Sequence, residues 1–112
     1  MFYDFPRDFK VKEIEPGWLV HTVCGQHIMF SYLTAKPYSV FPNHKHHHEQ
    51  MGFVMEGEFE MNIGGELRLL KKGDTYMVPP NIIHGAATHA SNAVILDVFS
   101  PPREDYLFGM AK

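Results

Sequence analysis

Glycine, proline and Asn/Asp turn signals interrupt this chain roughly every 8–12 residues, which leaves room for short strands and none for helices of ordinary length. The segments between them are rich in β-formers. Trp18–Val23 and His27–Thr34 flank Gly25 and read as a hairpin. Phe59, Met61 and Ile63 alternate with Glu58, Glu60 and Asn62, the period-two pattern of a strand with one wet face. Gly64–Gly65 supplies the positive backbone torsions of a tight turn, from which Glu66 to Leu70 returns. Lys72–Gly73–Asp74 turns again into Thr75–Val78, and Pro79–Pro80 must end that strand. Further segments are Gln50–Met55, His84–His89 and Ala93–Phe99. The expected fold is therefore all-β, a small antiparallel sandwich or barrel. One helical turn is expected at the end, where Ser100 could cap a turn opened by Pro101, with Glu104 and Asp105 in the first turn where the helix dipole favours acids.

With 112 residues the chain has room for a single domain, divided as a lead-in segment 1–15, a barrel 16–100 and a C-terminal segment 101–112. A net charge of −3 without a basic run argues against nucleic acid or an anionic membrane as partner. The lone cysteine, Cys24, cannot make an internal disulfide and reads as a small buried hydrophobe, which fits a reducing cytoplasm. No segment approaches the ~18 apolar residues of a membrane helix, and nothing marks the chain for export.

Four of the eight histidines fall in His44–Lys45–His46–His47–His48–Glu49–Gln50. In an extended strand His44 and His46 project to one face, so their imidazoles can converge on a metal, and Gln50, at the start of the next strand, can reach back beside them. His84 follows a stiff double-proline loop and is the fourth candidate. His47 and His48 read as solvated turn residues, with a supporting role behind the ligands as the alternative. His21, His27 and His89 receive no function. In the last strand, parity places Ile95, Asp97 and Phe99 on one face. A buried ionised Asp costs several kcal/mol, roughly, unless it is hydrogen-bonded or paired; Asp97 therefore has either a structural hydrogen-bond role or an acid/base role facing the lumen. Arg103, held by Pro101–Pro102, could fold over the mouth of the barrel or stay in solvent.

These two segments resemble the paired motifs of the cupin superfamily. The first is matched by His44-x-His46, Gln50 and Gly57, and the second by Gly73, Pro79, Asn81, His84 and Thr88. Gln50 stands where the family has Glu, Asn81 where it has Gly, and Thr88 where it has Asn; Asn81 can adopt the left-handed conformation that Gly usually supplies. The resemblance implies a jelly-roll barrel with one divalent metal ion inside, which could be Ni, Zn, Fe, Mn or Co. Neutral Gln50 leaves the ion's charge at +2, which favours polarising a carboxylate or hydroxyl over oxygen activation. Glu49 remains an alternative ligand, since the spacing is elastic by one residue.

A narrower resemblance rests on His44-x-His46, Glu49–Gln50, Met51-x-Phe53–Val54-x-x-Gly57–Glu58–Phe59–Glu60 and Asp97-x-Phe99-x-Pro101-x-Arg103–Glu104–Asp105–Tyr106. These are similar to the KdgF-like pectin-degradation cupins that linearise unsaturated uronates. That group implies metal ligands at His44, His46, Gln50 and His84 and active residues at Asp97, Phe99 and Arg103. It also implies a small anionic sugar-acid substrate, ring-opened from a 4,5-unsaturated monouronate to its keto form. A non-catalytic ligand-binding cupin and an Fe(II) dioxygenase are the rival readings. Small cupins commonly pair, so a homodimer is expected; the aromatic lead-in Phe2, Tyr3, Phe5 and Phe9 could serve that pairing or cover its own barrel.

Overall fold

A computed structural model describes residues 1–107; the last five residues of the C-terminal segment, 108–112, lie outside the described residues. The described residues form nine strands: β1 (Lys10–Glu15), β2 (Trp18–Cys24), β3 (Met29–Ala35), β4 (Val40–His44), β5 (Glu49–Ile63), β6 (Glu66–Lys71), β7 (Thr75–Val78), β8 (His84–Ala87) and β9 (Ala93–Ser100). All pairings are antiparallel, and the sheet curls on itself in the order β1-β2-β3-β9-β5-β8-β4, with β6 and β7 also paired to β5. This is the small all-β antiparallel fold expected from the turn spacing, and its curled sheet is the jelly roll that the resemblance implies.

The segments 50–55 and 58–63, expected as separate strands, are one continuous strand. The register shifts between Val54 and Glu56, and Gly57 takes φ 73°. A Cβ at Gly57 would sit 1.9 Å from the carbonyl oxygen of Asn92, so only glycine lets the two strands approach here. The bend lets the first half of β5 pair with β9 and β7 and the second half with β6 and β8, joining both walls of the barrel. Residues 10–15 of the lead-in are themselves a strand, β1, on the edge beside β2.

The core is filled by the inward faces of these strands, with Trp18, Val20, Met29, Val54, Phe59, Ile95 and Phe99 fully buried. Cys24 is half-buried against that core. Phe5 does not cover the barrel mouth: its ring packs on Phe9, His21 and Tyr32, on the outer face of β2 and β3, while Phe2 and Tyr3 are exposed. The terminal turn is a 3-10 helix over Glu104–Tyr106, and its N-cap is Arg103, not Ser100. Ser100 instead donates its hydroxyl to the carbonyl of His27 at 2.8 Å, which takes it away from the cap.

Candidate metal centre and its cavity

Beyond β4, residues 45–48 leave the strand, yet the two histidines of the His-x-His pair still converge. His44 ends β4, His46 sits in the loop, and His84 opens β8 directly opposite His44. Their rings are 4.3 to 5.6 Å apart, and one nitrogen of each lies within 4.8 Å of the others.

Each imidazole is oriented by a backbone carbonyl. Nδ1 of His44 lies 2.9 Å from the Pro42 oxygen, that of His46 3.0 Å from the His48 oxygen, and that of His84 2.9 Å from the Ile82 oxygen. A carbonyl can only accept, so Nδ1 carries the proton and Nε2 presents a bare lone pair. The Nε2 atoms of His44 and His84 are buried and meet no partner among the described residues. Burial pushes all three imidazoles below their ordinary range, His46 to about 4 with Arg103 and His84 adding to the shift, so they are neutral at pH 7.

Gln50 is 5% exposed and faces this cluster, whereas Glu49 is exposed on the other side of β5. The Gln50 Oε1 lies 3.1 Å from Nε2 of His46. Two bare acceptors at that distance repel unless a cation lies between them or the ring is protonated, and the lowered His46 pKa disfavours the second. Its amide N–H groups turn instead to the other side, toward Asp97 and Tyr76. The donor set thus fits a divalent ion, with His44, His46, His84 and the Gln50 oxygen as the residues that would hold it.

Asp97 and Phe99 face the same interior from β9, at 3% and 1% exposure. The Asp97 carboxylate accepts a short hydrogen bond from the Tyr76 hydroxyl. Sequence reasoning missed Tyr76, and the signal it left is Gly52, a glycine at an inward position of β5 that is paired to Asp97 on one side and to Tyr76 on the other. A Cβ at Gly52 would lie 2.1 Å from the Tyr76 ring, so the missing side chain is the path by which the phenol reaches across. Burial raises both groups: Asp97 to about 6, against the lowering pull of the Tyr76 and Gln50 hydrogen bonds, and Tyr76 well above its ordinary value, with the Asp97 charge and hydrogen bond adding to the rise.

Arg103 is buried rather than solvated. Its Nε and Nη2 donate to the two carboxylate oxygens of Asp105 at 3.1 and 2.6 Å, and the guanidinium lies 4.0 Å from the Tyr106 ring centre and 5.2 Å from that of Phe99. Burial opposes the charge on Asp105, but the Arg103 contacts win and hold its carboxyl below the usual range. Tyr106 is also unanticipated as a wall of the site. His48, expected as a solvated turn residue, is instead 4% exposed; His47 is exposed as expected.

His44, Gln50, His84, Asp97, Phe99 and Arg103 line one cavity together with Tyr76 and Tyr106. It holds about 40 Å³ of free space, enough for a few waters at ~10–15 Å³ each. Phe41, His44, Arg103 and Tyr106 separate it from an outer groove of about 380 Å³ bordered by Lys12, Glu15 and Lys45. The turn that carries Arg103 and Tyr106 thus forms part of the partition between the interior and the outer groove, with Phe41 and His44 of β4 forming the rest.

A family model described as a cupin domain matches residues 31–99. The pectin degradation protein KdgF of Dickeya dadantii (strain 3937) is 46% identical over 65 residues, 57% of this chain and 59% of that protein, so the chain spans less than two thirds of that relative's length. Among solved structures, an RmlC-like cupin from Shewanella frigidimarina superposes with TM-score 0.86 at 29% identity, covering 95% of this chain and 96% of the other. KdgF from Halomonas sp. superposes with TM-score 0.84 at 29% identity, covering 94% and 97%.

Proposed function

The chain belongs to the cupin domain family, and from that membership we propose that it is a metal-dependent enzyme of pectin or alginate breakdown that opens the ring of 4,5-unsaturated monouronates. The observation that supports this most is the meeting of Asp97, Phe99 and Arg103 with His44, His84 and Gln50 on one cavity, beside the identity shared with the pectin degradation protein.

A divalent ion held by His44, His46, Gln50 and His84 would supply Lewis acidity toward a carboxylate or hydroxyl of the substrate. The chain's own residues account for the rest. In the reaction the C1 hydroxyl loses its proton, the C1–O5 bond breaks, and the electron pair passes to O5 to leave an aldehyde and an enolate. A proton delivered to C4 then gives the ketone, so the reaction is an isomerisation with no other reactant. Asp97, poised near pH 6, takes and returns that proton. Tyr76 holds the Asp97 carboxylate by its hydroxyl, and Phe99 forms a wall against the sugar ring. Arg103 leaves Asp105 for the substrate carboxylate, a bidentate exchange of like for like. The 40 Å³ interior is too small for a hexuronate, so the partition formed by Arg103 and Tyr106 moves aside on entry.

The test is the decay of unsaturated-uronate absorbance with metal-loaded protein. A rate above the spontaneous one that falls by at least a hundredfold in Asp97→Ala supports the reading; a rate equal to the spontaneous one ends it. A second reading, a ligand-binding cupin without turnover, is favoured by the hydrogen bonds that hold Asp97, and it predicts saturable uronate binding with no decay of the signal.

We also propose a homodimer. Phe30, Val98, Met51 and Met77 form a cross-strand row on the outer face of β3, β9, β5 and β7, with Phe53 in the next row. Met51 is 55% exposed and Phe53 42%, an apolar sheet face of the kind a second copy covers.

A further inference from the structure

Two histidines of the run after β4 are turned away from the cavity and meet a carboxylate from the far end of the chain. Nε2 of His48 lies 2.7 Å from Oε1 of Glu104, and Nε2 of His47 lies 3.8 Å from the same oxygen. The two rings stack at 3.9 Å with 31° between their planes, so both nitrogens address one point, and one donor atom from each of the three residues falls within 4.8 Å of the others. His48 is fixed there by burial: it packs edge-on against the His46 ring at 5.3 Å. Its Nδ1 is buried and has no partner among the described residues, so the imidazole is held at one nitrogen only. His47 and Glu104 are exposed and free to close the remaining distance.

We propose that His47, His48 and Glu104 form a second divalent-cation site, distinct from the three-histidine cluster and suited to Zn²⁺ and similar borderline-soft ions. Two imidazoles and a carboxylate are a common zinc donor set, with ligand bonds of about 2.0–2.2 Å and an open position for water. The His48–Glu104 contact is a hydrogen bond at 2.7 Å, so an ion there takes the place of the shared proton and the exposed Glu104 carboxylate backs away slightly to admit two ligand bonds. Adjacent histidines alone would make a weak surface chelate; the residue from the other segment is what turns it into a cross-link. Glu104 begins the 3-10 turn whose Arg103 and Tyr106 partition the cavity from the outer groove. An ion here fastens that turn to the loop leading into β5 and holds the partition closed. Occupancy of the outer site therefore slows entry to the inner one.

The test titrates chelator-treated protein with ZnCl₂ by calorimetry and equilibrium dialysis, and follows amide exchange over residues 104–107. Wild type takes two equivalents. Glu104→Gln and His47→Gln, both at exposed positions, each lose one equivalent or weaken it at least tenfold, and His84→Ala loses the other. Zn²⁺ slows exchange over 104–107 at least tenfold in wild type and in His84→Ala, but not in Glu104→Gln. A single equivalent that is lost in Glu104→Gln and kept in His84→Ala supports the outer site while removing the inner one. Two equivalents, or one, unaffected by both Glu104→Gln and His47→Gln overturns the proposal.

Discussion

The hydroxyl of Tyr76 reaches over Gly52 to the carboxylate of Asp97. The three residues occupy one row of the sheet, Tyr76 on β7, Gly52 on β5 and Asp97 on β9. Removing the hydroxyl in Tyr76→Phe deprives a buried carboxylate of a donor, a loss of about 1.5–3 kcal/mol. The uronate-opening rate is expected to fall about ten- to a hundredfold, with KM little changed.

Gly52→Ala reaches the same contact by steric means. The new Cβ falls on the Tyr76 ring, and overpacking of this kind costs about 1–3 kcal/mol. Combined with Tyr76→Phe, it should cost little further activity, because the hydrogen bond is already gone, while the melting temperature still drops. Equal, additive losses of activity would show that the two positions act separately.

Arg103 and Asp105 make the second testable pair. In the proposed reaction the uronate carboxylate would have to compete with Asp105 for a guanidinium already held at two nitrogens. Asp105→Asn weakens the ground-state contact and is expected to lower KM severalfold with kcat nearly unchanged. Arg103→Lys cannot reproduce the planar fork or the stacking on Tyr106, so kcat/KM should fall about a hundredfold, read from initial rates across substrate concentration.

The strand pattern and the metal-ligand geometry leave different traces in a sequence. Alternation at Phe59, Met61 and Ile63 and the glycines after them fix a strand and its turn locally, and the structure has both. The convergence of His44 and His46 is likewise local. The unbroken course of β5 through Gly57 is not, because 50–55 and 58–63 read as two separate strands until Asn92 is known to press against Gly57. Burial of His48 has the same character, since its partner Glu104 arrives from the other end of the chain. Tyr76 was hidden because a tyrosine in a short strand looks like ordinary packing. Only Gly52, unexpected at an inward-facing position, marked where it crosses.

The pH dependence of the metal-free protein follows from two opposed shifts. The lowered imidazoles of His44, His46 and His84 leave the unfolded state binding more protons below about 6.5. Their contribution is present above pH 6.5 and is lost as pH falls toward 4. Asp97 has the reverse sign: its raised pKa stabilises below 3.8 and that contribution is lost as pH rises through 6. Three groups against one should make the melting temperature of chelator-treated protein fall between pH 7 and pH 4. His46→Asn should flatten that fall, as measured by calorimetry across the range.

On the outer face, the row Phe30–Val98–Met51–Met77 predicts a dimer that a single charge disrupts. Met51→Glu or Phe53→Glu would bury a carboxylate against an apolar copy of the same face, at a cost of several kcal/mol, roughly, per chain. Sedimentation should show wild type as a dimer and each variant shifted toward monomer at micromolar concentration, with the circular dichroism spectrum retained. A wild type that sediments as a monomer sinks the assignment of this face.

Gln50→Glu tests why a neutral residue stands at that position. The amide does two things at once: its oxygen faces His46, and its N–H side supports Asp97. A carboxylate keeps the first function and reverses the second, because it cannot donate and would place a like charge beside Asp97. Two close carboxylates do not both ionise readily, so one must hold a proton and the pair titrates at higher pH than Asp97 alone. A raised pKa stabilises below the unfolded value and loses that contribution as pH rises. Chelator-treated Gln50→Glu should therefore lose stability relative to wild type at pH 8 by more than it does at pH 5, and Asp97→Asn in the same chain should remove the difference. With metal bound, the added negative charge favours the ion, so the variant should bind it more tightly yet open uronates more slowly. A variant that binds metal more tightly and keeps the full rate would show that Gln50 serves the cation alone, with no part in holding Asp97.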